Sequence, residues 1–223
     1  MSQTIRLVVP MKPLAYSKLR LSEVLPASKR QTLVLWMLQR VLGAAIASAT
    51  GPVCVVGGDP SVAGVVSATG AHWEADTHRG LNATLQAAHA KAGMDGSAGL
   101  LFLPADLPLL NSGDVVLMAT AFDGSNVVLA PGRRGGTNAI LAARASGFQY
   151  RLGDDSFRLH AEALERNGSP WRRIDSPSIA ADIDLPEDLT ALESQLPDLW
   201  DQVATLDCCF DQPAAPAPSQ QRR

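Results

Sequence analysis

The chain reads as a single α/β domain, a mostly parallel sheet with helices on both faces, and three observations predict it. Short β-rich runs alternate with helical periods along the whole sequence, the pattern of strands joined by crossover helices. The runs at 52–57 and 100–103 are apolar throughout, as strands covered on both faces are. The 223 residues, 46% hydrophobic and 18% charged, suit one sizeable core, and no linker divides them before residue 211.

Ile5-Arg-Leu-Val-Val9 opens the sheet and is stopped by Pro10, after which a loop carries Lys12, Lys18 and Arg20. From Ser28 to about Ala47, apolar residues at Leu33, Trp36, Met37, Val41, Leu42 and Ala45 repeat with a helical period. Residues 52–57 form a second strand ended by Gly57-Gly58-Asp59-Pro60, and a short helix follows to Gly70. A weak strand at 71–75 precedes Gly80-Leu81-Asn82, which opens an Ala-rich helix to Lys91. The next strand runs into Asp106, bracketed by Pro104 and Pro108. Beyond it come a helix at 112–122, strands at 126–130 and 139–142 flanking the loop Pro131–Asn138, and a helix from Ser156 to Arg166. A strand at 171–175 and a helix at 186–196 complete a domain placed at 1–200. From Asp211 the residues turn to Pro, Ala, Ser and Gln, a composition expected to stay disordered.

Several function classes drop out. A net charge of -3 without a basic run argues against a nucleic-acid partner. Cys54, Cys208 and Cys209 have no C-x-x-C spacing, so neither a zinc site nor a disulfide framework is expected, and a reducing cytoplasm is the natural compartment. No signal pattern and no 18-residue apolar run occur, so no membrane association is expected. The sequence leaves room for a homodimer without specifying one.

Chemistry concentrates where strands end. In an open α/β sheet the carboxyl ends of the strands form the ligand crevice, and Asp106 lies at such an end. Asp182 and Asp184 sit before a Pro-Glu-Asp helix start; two residues apart in an extended segment, they point to one side and could face one hard cation such as Mg²⁺ together with Asp106. The plainer reading makes Asp106 a turn residue and the other two helix caps. Lys12, Lys18 and Arg20 could neutralise a triphosphate, or simply be solvated. Gly80 and Asn82 open a helix, where backbone N–H groups and an amide could hold a base or phosphate, or where the Asn is only a cap. Gly135-Gly136-Thr137-Asn138 allows close approach of backbone to ligand. Leu152-Gly-Asp-Asp-Ser156 places Gly153 and the Ser156 hydroxyl at a helix N-terminus, an anion site or a cap. No Walker or G-x-G-x-x-G string is present.

These segments together resemble the phospholactate guanylyltransferases of coenzyme F-420 biosynthesis. The likeness spans roughly residues 5–196 in order, through Pro10-x-Lys12, Lys18-Leu-Arg-Leu21, Gly80-Leu-Asn82, Pro104-Ala-Asp-Leu-Pro108, Gly135-Gly-Thr-Asn138, Gly153-x-x-Ser-Phe-x-x-His160 and Asp182-Ile-Asp184. The resemblance implies a GT-A-like, Rossmann-like nucleotidyltransferase fold that joins GMP from GTP to the phosphate of a three-carbon phospho-acid and releases pyrophosphate. It implies Mg²⁺ on Asp106, Asp182 and Asp184, and the acceptor phosphate at Lys18, Thr137, Gly153 and Ser156. Lys12 and Arg20 would then meet the GTP phosphates, with Gly80 and Asn82 toward the nucleoside. An acceptor phosphate is already an anionic nucleophile, so no general base is required, and His160 is expected on the helix surface or in packing.

Asp154-Asp155 departs from the family, where a small residue usually precedes the Ser-Phe pair, and Tyr16 and Leu19 stand beside Lys18. Two carboxylates there would repel a bare carboxylate and accept from a hydroxyl, which favours 3-phosphoglycerate over 2-phospholactate or phosphoenolpyruvate. The competing readings are a molybdopterin or sugar-phosphate nucleotidyltransferase, which usually carries glycines after strand one that Pro10-Met-Lys-Pro13 lacks, and a nucleotide-binding regulator without catalysis.

Overall fold

The computed structural model describes residues 4–210; the tail expected from Asp211 lies outside the described residues. The strands are β1 (Ile5–Met11), β2 (Val53–Gly57), β3 (His72–Glu74), β4 (Gly99–Phe102), β5 (Val127–Pro131), β6 (Thr137–Ala143) and β7 (Trp171–Arg173). The helices are α1 (Ala27–Ala47), α2 (Pro60–Thr69), α3 (Leu81–Met94), α4 (Ser112–Thr120), α5 (Ser156–Arg166), α6 (Pro186–Gln195) and α7 (Leu199–Phe210). They build one sheet of order β3-β2-β1-β4-β6-β5-β7, in which β6 alone runs antiparallel, between β4 and β5.

Alternate side chains of each strand face opposite layers, both covered by helices, which is why the inner strands are largely apolar. Leu7, Val9, Val53, Val55, Leu101 and Leu141 join the core beneath α1, α2 and α4. Val8, Cys54, Val56, Leu100, Phe102 and Ile140 face the other way, onto Leu85 and Ala92 of α3 and Leu164 of α5. Helix α1 carries the larger share, with Leu33, Met37, Leu38 and Leu42 fully enclosed. Each such side chain stabilises the fold by roughly 1.5–3 kcal/mol, and Met37→Ala would cost about 2–5 kcal/mol because a cavity remains.

Three departures from the sequence expectation have a physical reason. Strand β1 continues through Pro10, paired there only with Val56 of β2. The β4 partnership has already ended at Val8 opposite Phe102, so the missing proline N–H falls on an unpaired side. Strand β4 stops at Phe102, which leaves Asp106 beyond the strand in a loop. Helix α7 was not expected, and it carries packed structure past the boundary placed at residue 200. Its Leu199, Val203 and Leu206 recur with a helical period and join the core of α1, a signal masked by the polar composition that follows. Among the described residues no helix is long and apolar enough to cross a membrane.

Candidate active site

A cleft of about 1090 Å³ opens along the edge where β1, β2, β4 and β5 end and β6 begins. At the end of β2, Gly57 has φ 89°, and a Cβ there would stand 2.5 Å from the Met11 carbonyl oxygen. Only glycine lets the two strands close at this rim.

The loop after β1 folds into two 3-10 turns, Leu14–Tyr16 and Leu19–Leu21, pinned by buried Leu14 and Leu21 and by a 2.9 Å bond from the Leu14 N–H to Asp59 Oδ2. Between the turns Lys18 is held in the left-handed region at φ 51°, a conformation costing a non-glycine residue about 1–2 kcal/mol. That bend turns its side chain inward. The ammonium donates to the Asp106 carboxylate and, at 2.7 Å, to Asp184 Oδ1, with only 11% of the side chain exposed. Burial opposes the Lys18 charge, but the two carboxylates outweigh it and raise its pKa above the ordinary lysine value. Burial likewise works against the charge on Asp184, and Lys18, with Arg134 and Arg20, outweighs it and holds the carboxyl below the usual range. Arg20 itself reaches Asp184 only at 4.0 Å and is mostly exposed. Lys12 lines the cleft mouth, exposed.

One backbone bond brings the acidic segments together. The Ile183 N–H donates to the Asp106 carbonyl at 3.2 Å, which stitches the loop after β4 to the segment before α6. Asp188, at the third position of α6, accepts from the Asp184 and Leu185 N–H groups at 2.9 and 2.8 Å and fixes the same segment from the other side.

Asp182 is placed differently from expectation. Its carboxylate accepts from Arg134 at 3.1 Å and from Asn138 Nδ2 at 2.9 Å, while Arg134 also pairs with Asp188 at 2.8 Å. Asp182 and Asp184 both line the cleft, but they meet different cations. Asp106 and Asp184 thus share one cation, Lys18, and Asp182 stands beside them on another. Among the described residues no three His, Cys, Asp or Glu side chains are grouped to hold a metal ion. Two carboxylates aimed at a common cation nevertheless fit Mg²⁺, which is usually held by one or two carboxylates together with substrate phosphates. Arg134 and Asp188 were not singled out in the sequence, and Asn138 only as the end of the Gly-Gly-Thr-Asn string; Arg134 lies in the loop before β6, and Asp188 shows only as a helix-start acid.

The opposite wall presents hydroxyl groups. Thr137 and Asn138 are the first residues of β6 and are buried. Thr137 Oγ1 lies 3.2 Å from Ser156 Oγ and 3.1 Å from His160 Nδ1, and His160 Nε2 accepts from the Arg151 N–H at 2.9 Å. Gly153 and Ser156 line the cleft with Thr137. His160 is 1% exposed, so it is no surface residue; burial, aided by the Arg151 charge, pushes its pKa down to about 4.

Two expected contacts fall elsewhere. Asn82 does not line the cleft: its amide donates to the Leu152 carbonyl at 3.2 Å and accepts from the Leu152 N–H at 2.8 Å, clamping α3 to the loop before α5. Gly80 does line it, near Trp73 and Asp76. The Trp73 indole donates to the Gly57 carbonyl at 2.9 Å, and Asp76 accepts from the Thr84 hydroxyl at 2.6 Å. Asp155, left-handed at φ 55°, bonds Arg158 at 2.5 Å, so of the two adjacent acids only Asp154 lines the cleft.

Comparison with known proteins agrees with this architecture. A nucleotide-diphospho-sugar transferase structure from Desulfovibrio desulfuricans G20 matches with a TM-score of 0.72 at 18% identity, over 92% of this chain and 96% of its own. A structure of CMP:2-keto-3-deoxy-manno-octonic acid synthetase with CTP matches with a TM-score of 0.59 at 14% identity, over 87% and 99%. These likenesses show the fold, the GT-A-like architecture of nucleotidyltransferases. In sequence, the chain is 39% identical over 189 residues to phosphoenolpyruvate guanylyltransferase of Rubrobacter xylanophilus, covering 84% of this chain and 92% of that protein. It is 30% identical over 182 residues to 2-phospho-L-lactate guanylyltransferase of Methanocaldococcus infernus, covering 82% and 81%. A family model described as "Guanylyl transferase CofC like" matches residues 5–194. On that match and these relatives, the chain belongs to the guanylyl transferase CofC like family.

Proposed function

We propose that the protein transfers GMP from GTP to the phosphate of a three-carbon phospho-acid and releases pyrophosphate, in coenzyme F-420 biosynthesis. The observation that carries this reading is the Lys18 ammonium held between Asp106 and Asp184 in a cleft whose other wall is lined by hydroxyls, in a chain whose relatives are named guanylyltransferases. An oxygen of the acid's phosphate attacks the α-phosphorus of GTP; the bond to the pyrophosphate oxygen breaks, and pyrophosphate leaves with that electron pair. Such a reaction joins two polyanions and consumes no base, so positioning and charge neutralisation are what the protein supplies.

Each wall has a part. Thr137, Ser156 and the Gly153 backbone receive the acceptor phosphate, and Lys18 moves from its carboxylates onto phosphate oxygens. Lys12 and Arg20, exposed at the mouth, meet the GTP phosphates. Asp106 and Asp184 would hold Mg²⁺, with Asp182 beside them, and the ion when bound supplies charge stabilisation to the transferring phosphoryl group. The base lies toward Gly80, Trp73 and Asp76. His160, enclosed and bonded at both nitrogens, takes no proton from substrate.

For the acceptor we favour phosphoenolpyruvate, the substrate in the names of several of the relatives. The preference for 3-phosphoglycerate finds no support there, and one of the two aspartates on which it rested is turned to Arg158. The test incubates the protein with GTP, Mg²⁺ and each of phosphoenolpyruvate, 2-phospho-L-lactate and 3-phosphoglycerate, and reads pyrophosphate and the mass of the GMP adduct. An adduct with phosphoenolpyruvate is expected; pyrophosphate from none of the three overturns the reading. Equal rates with ATP would remove the guanylyl assignment.

A further inference from the structure

Two histidines are buried on the same face of the sheet, and their bonds fix opposite tautomers. His89 Nε2 lies 3.2 Å from the Ala143 carbonyl oxygen, which can only accept, so that nitrogen carries the proton, and Nδ1 faces the Tyr150 hydroxyl at 3.4 Å. This histidine bridges α3 to the strand β6 and touches nothing in the cleft.

His160 is the reverse. Its Nε2 faces the Arg151 backbone N–H at 2.9 Å, which can only donate, so Nε2 is bare and a neutral ring must carry its proton on Nδ1. That proton points at Thr137 Oγ1, 3.1 Å away. One lone pair of the threonine oxygen is thereby engaged, and the threonine's own hydrogen must turn toward Ser156 Oγ or into the cleft. Were the ring reversed, the threonine hydrogen would point back at Nδ1, and lone pairs would face an incoming anion.

We infer that His160 is a positioning residue for the acceptor: through Nδ1–H it sets the hydroxyls of Thr137 and Ser156 as donors toward the acceptor's phosphate. The role rests on the proposed placement of that phosphate at Thr137 and Ser156. Burial keeps the ring neutral across the physiological range, so the orientation does not change with ordinary pH. Arg151 is the charged residue whose field acts on the ring, and it adds to the same effect.

Variants of His160 and Thr137 and one spectrum test it. His160→Phe keeps a ring and removes both nitrogens; it should raise the KM for the phospho-acid about tenfold or more, the worth of one oriented hydrogen bond to an anion, with the KM for GTP unchanged. His160→Asn returns a donor close to the Nδ1 position and should recover most of the loss, whereas His160→Gln, which reaches only the Nε2 position, should not. Added to Thr137→Val, His160→Phe should have little further effect. Equal changes in both KM values, or none, would overturn the role. Independently, ¹⁵N NMR of the wild-type protein should show the His160 ring protonated on Nδ1; an Nε2-protonated ring refutes the orientation even if every variant is poorly folded. A wild type that makes no adduct with any phospho-acid defeats the proposed reaction, and the spectrum still decides the orientation.

Discussion

The two walls of the cleft are built to hold anions by different physics. On the ionic wall two cations are already paired with carboxylates: Lys18, in the loop after β1, is shared by Asp106 and Asp184, and Arg134, in the loop before β6, by Asp182 and Asp188. A ligand entering there exchanges partners with charges that are already paired. On the other wall Thr137 at the start of β6 and Ser156 at the start of α5 offer neutral hydroxyls, buried and aimed by a buried neutral imidazole. Nothing has to be released before a phosphate binds. The ionic wall should therefore govern the rate of transfer, where charge develops, and the hydroxyl wall the affinity for the acceptor.

The sharpest way to break that contrast is at the carboxylates. Asp106→Asn and Asp184→Asn should each lower the transfer rate by about 10³ or more, since each removes a charged ligand of the proposed Mg²⁺ while keeping shape. Initial rates, with circular dichroism confirming the fold, check this; more than a tenth of wild-type turnover from either variant would exclude that residue. EDTA should abolish activity and excess Mg²⁺ restore it.

Lys18→Met should slow transfer by roughly 10²-fold and change the acid limb of stability. Asp184 has its pKa lowered in the fold, so its pairing stabilises fully above the unfolded value near pH 4, and the contribution disappears as pH falls through the lower folded value. Without the ammonium, Asp106 and Asp184 repel, and the variant should lose less Tm than wild type between pH 5 and 3. A parallel shift of the two curves would separate Lys18 from that pair.

The hydroxyl wall gives a different pH signature. His160 falls from its ordinary 6.5 to about 4 in the fold. Between those values the unfolded chain binds the proton and the folded chain does not, so stability is fully present above pH 6.5 and declines toward pH 4, by roughly 3 kcal/mol in all. Melting curves of wild type and His160→Phe across that window should diverge, the variant being the flatter. Curves of equal slope would mean the ring is not held neutral.

The smallest effect is expected outside both walls. Asp155→Gly relieves a left-handed backbone worth up to about 1 kcal/mol and loses an exposed ion pair with Arg158 worth about as little. Stability should move by less than about 1 kcal/mol, and the order of preference among phospho-acids should stay as in wild type. A changed order would return Asp155 to the acceptor site.

How much of this was legible in the sequence depended on how local the cause was. Helix α1 and strands β2 and β4 were legible because apolar spacing alone decides which face is buried. Helix α7 carried the same signal in Leu199, Val203 and Leu206 but was hidden by the polar residues after it. Lys18, Asp106, Thr137, Gly153, Ser156 and Asp184 were singled out as residue types suited to phosphate and metal, and the fold does bring them to one cleft.

What the sequence by itself determined was therefore the layered α/β architecture and the inventory of charged and hydroxyl groups at the strand ends, since periodicity and residue chemistry are properties of neighbouring positions. Tertiary structure decided who faces whom. That Lys18 joins Asp106 to Asp184, that Asp182 turns to Arg134 and Asn138, that Asn82 clamps Leu152, and that His160 aims Thr137 each depend on segments far apart in the chain. The physical reason is that a side chain's partner is set by the path of the backbone around it, here by contacts such as the bond from Ile183 to the Asp106 carbonyl, and no local pattern records that path.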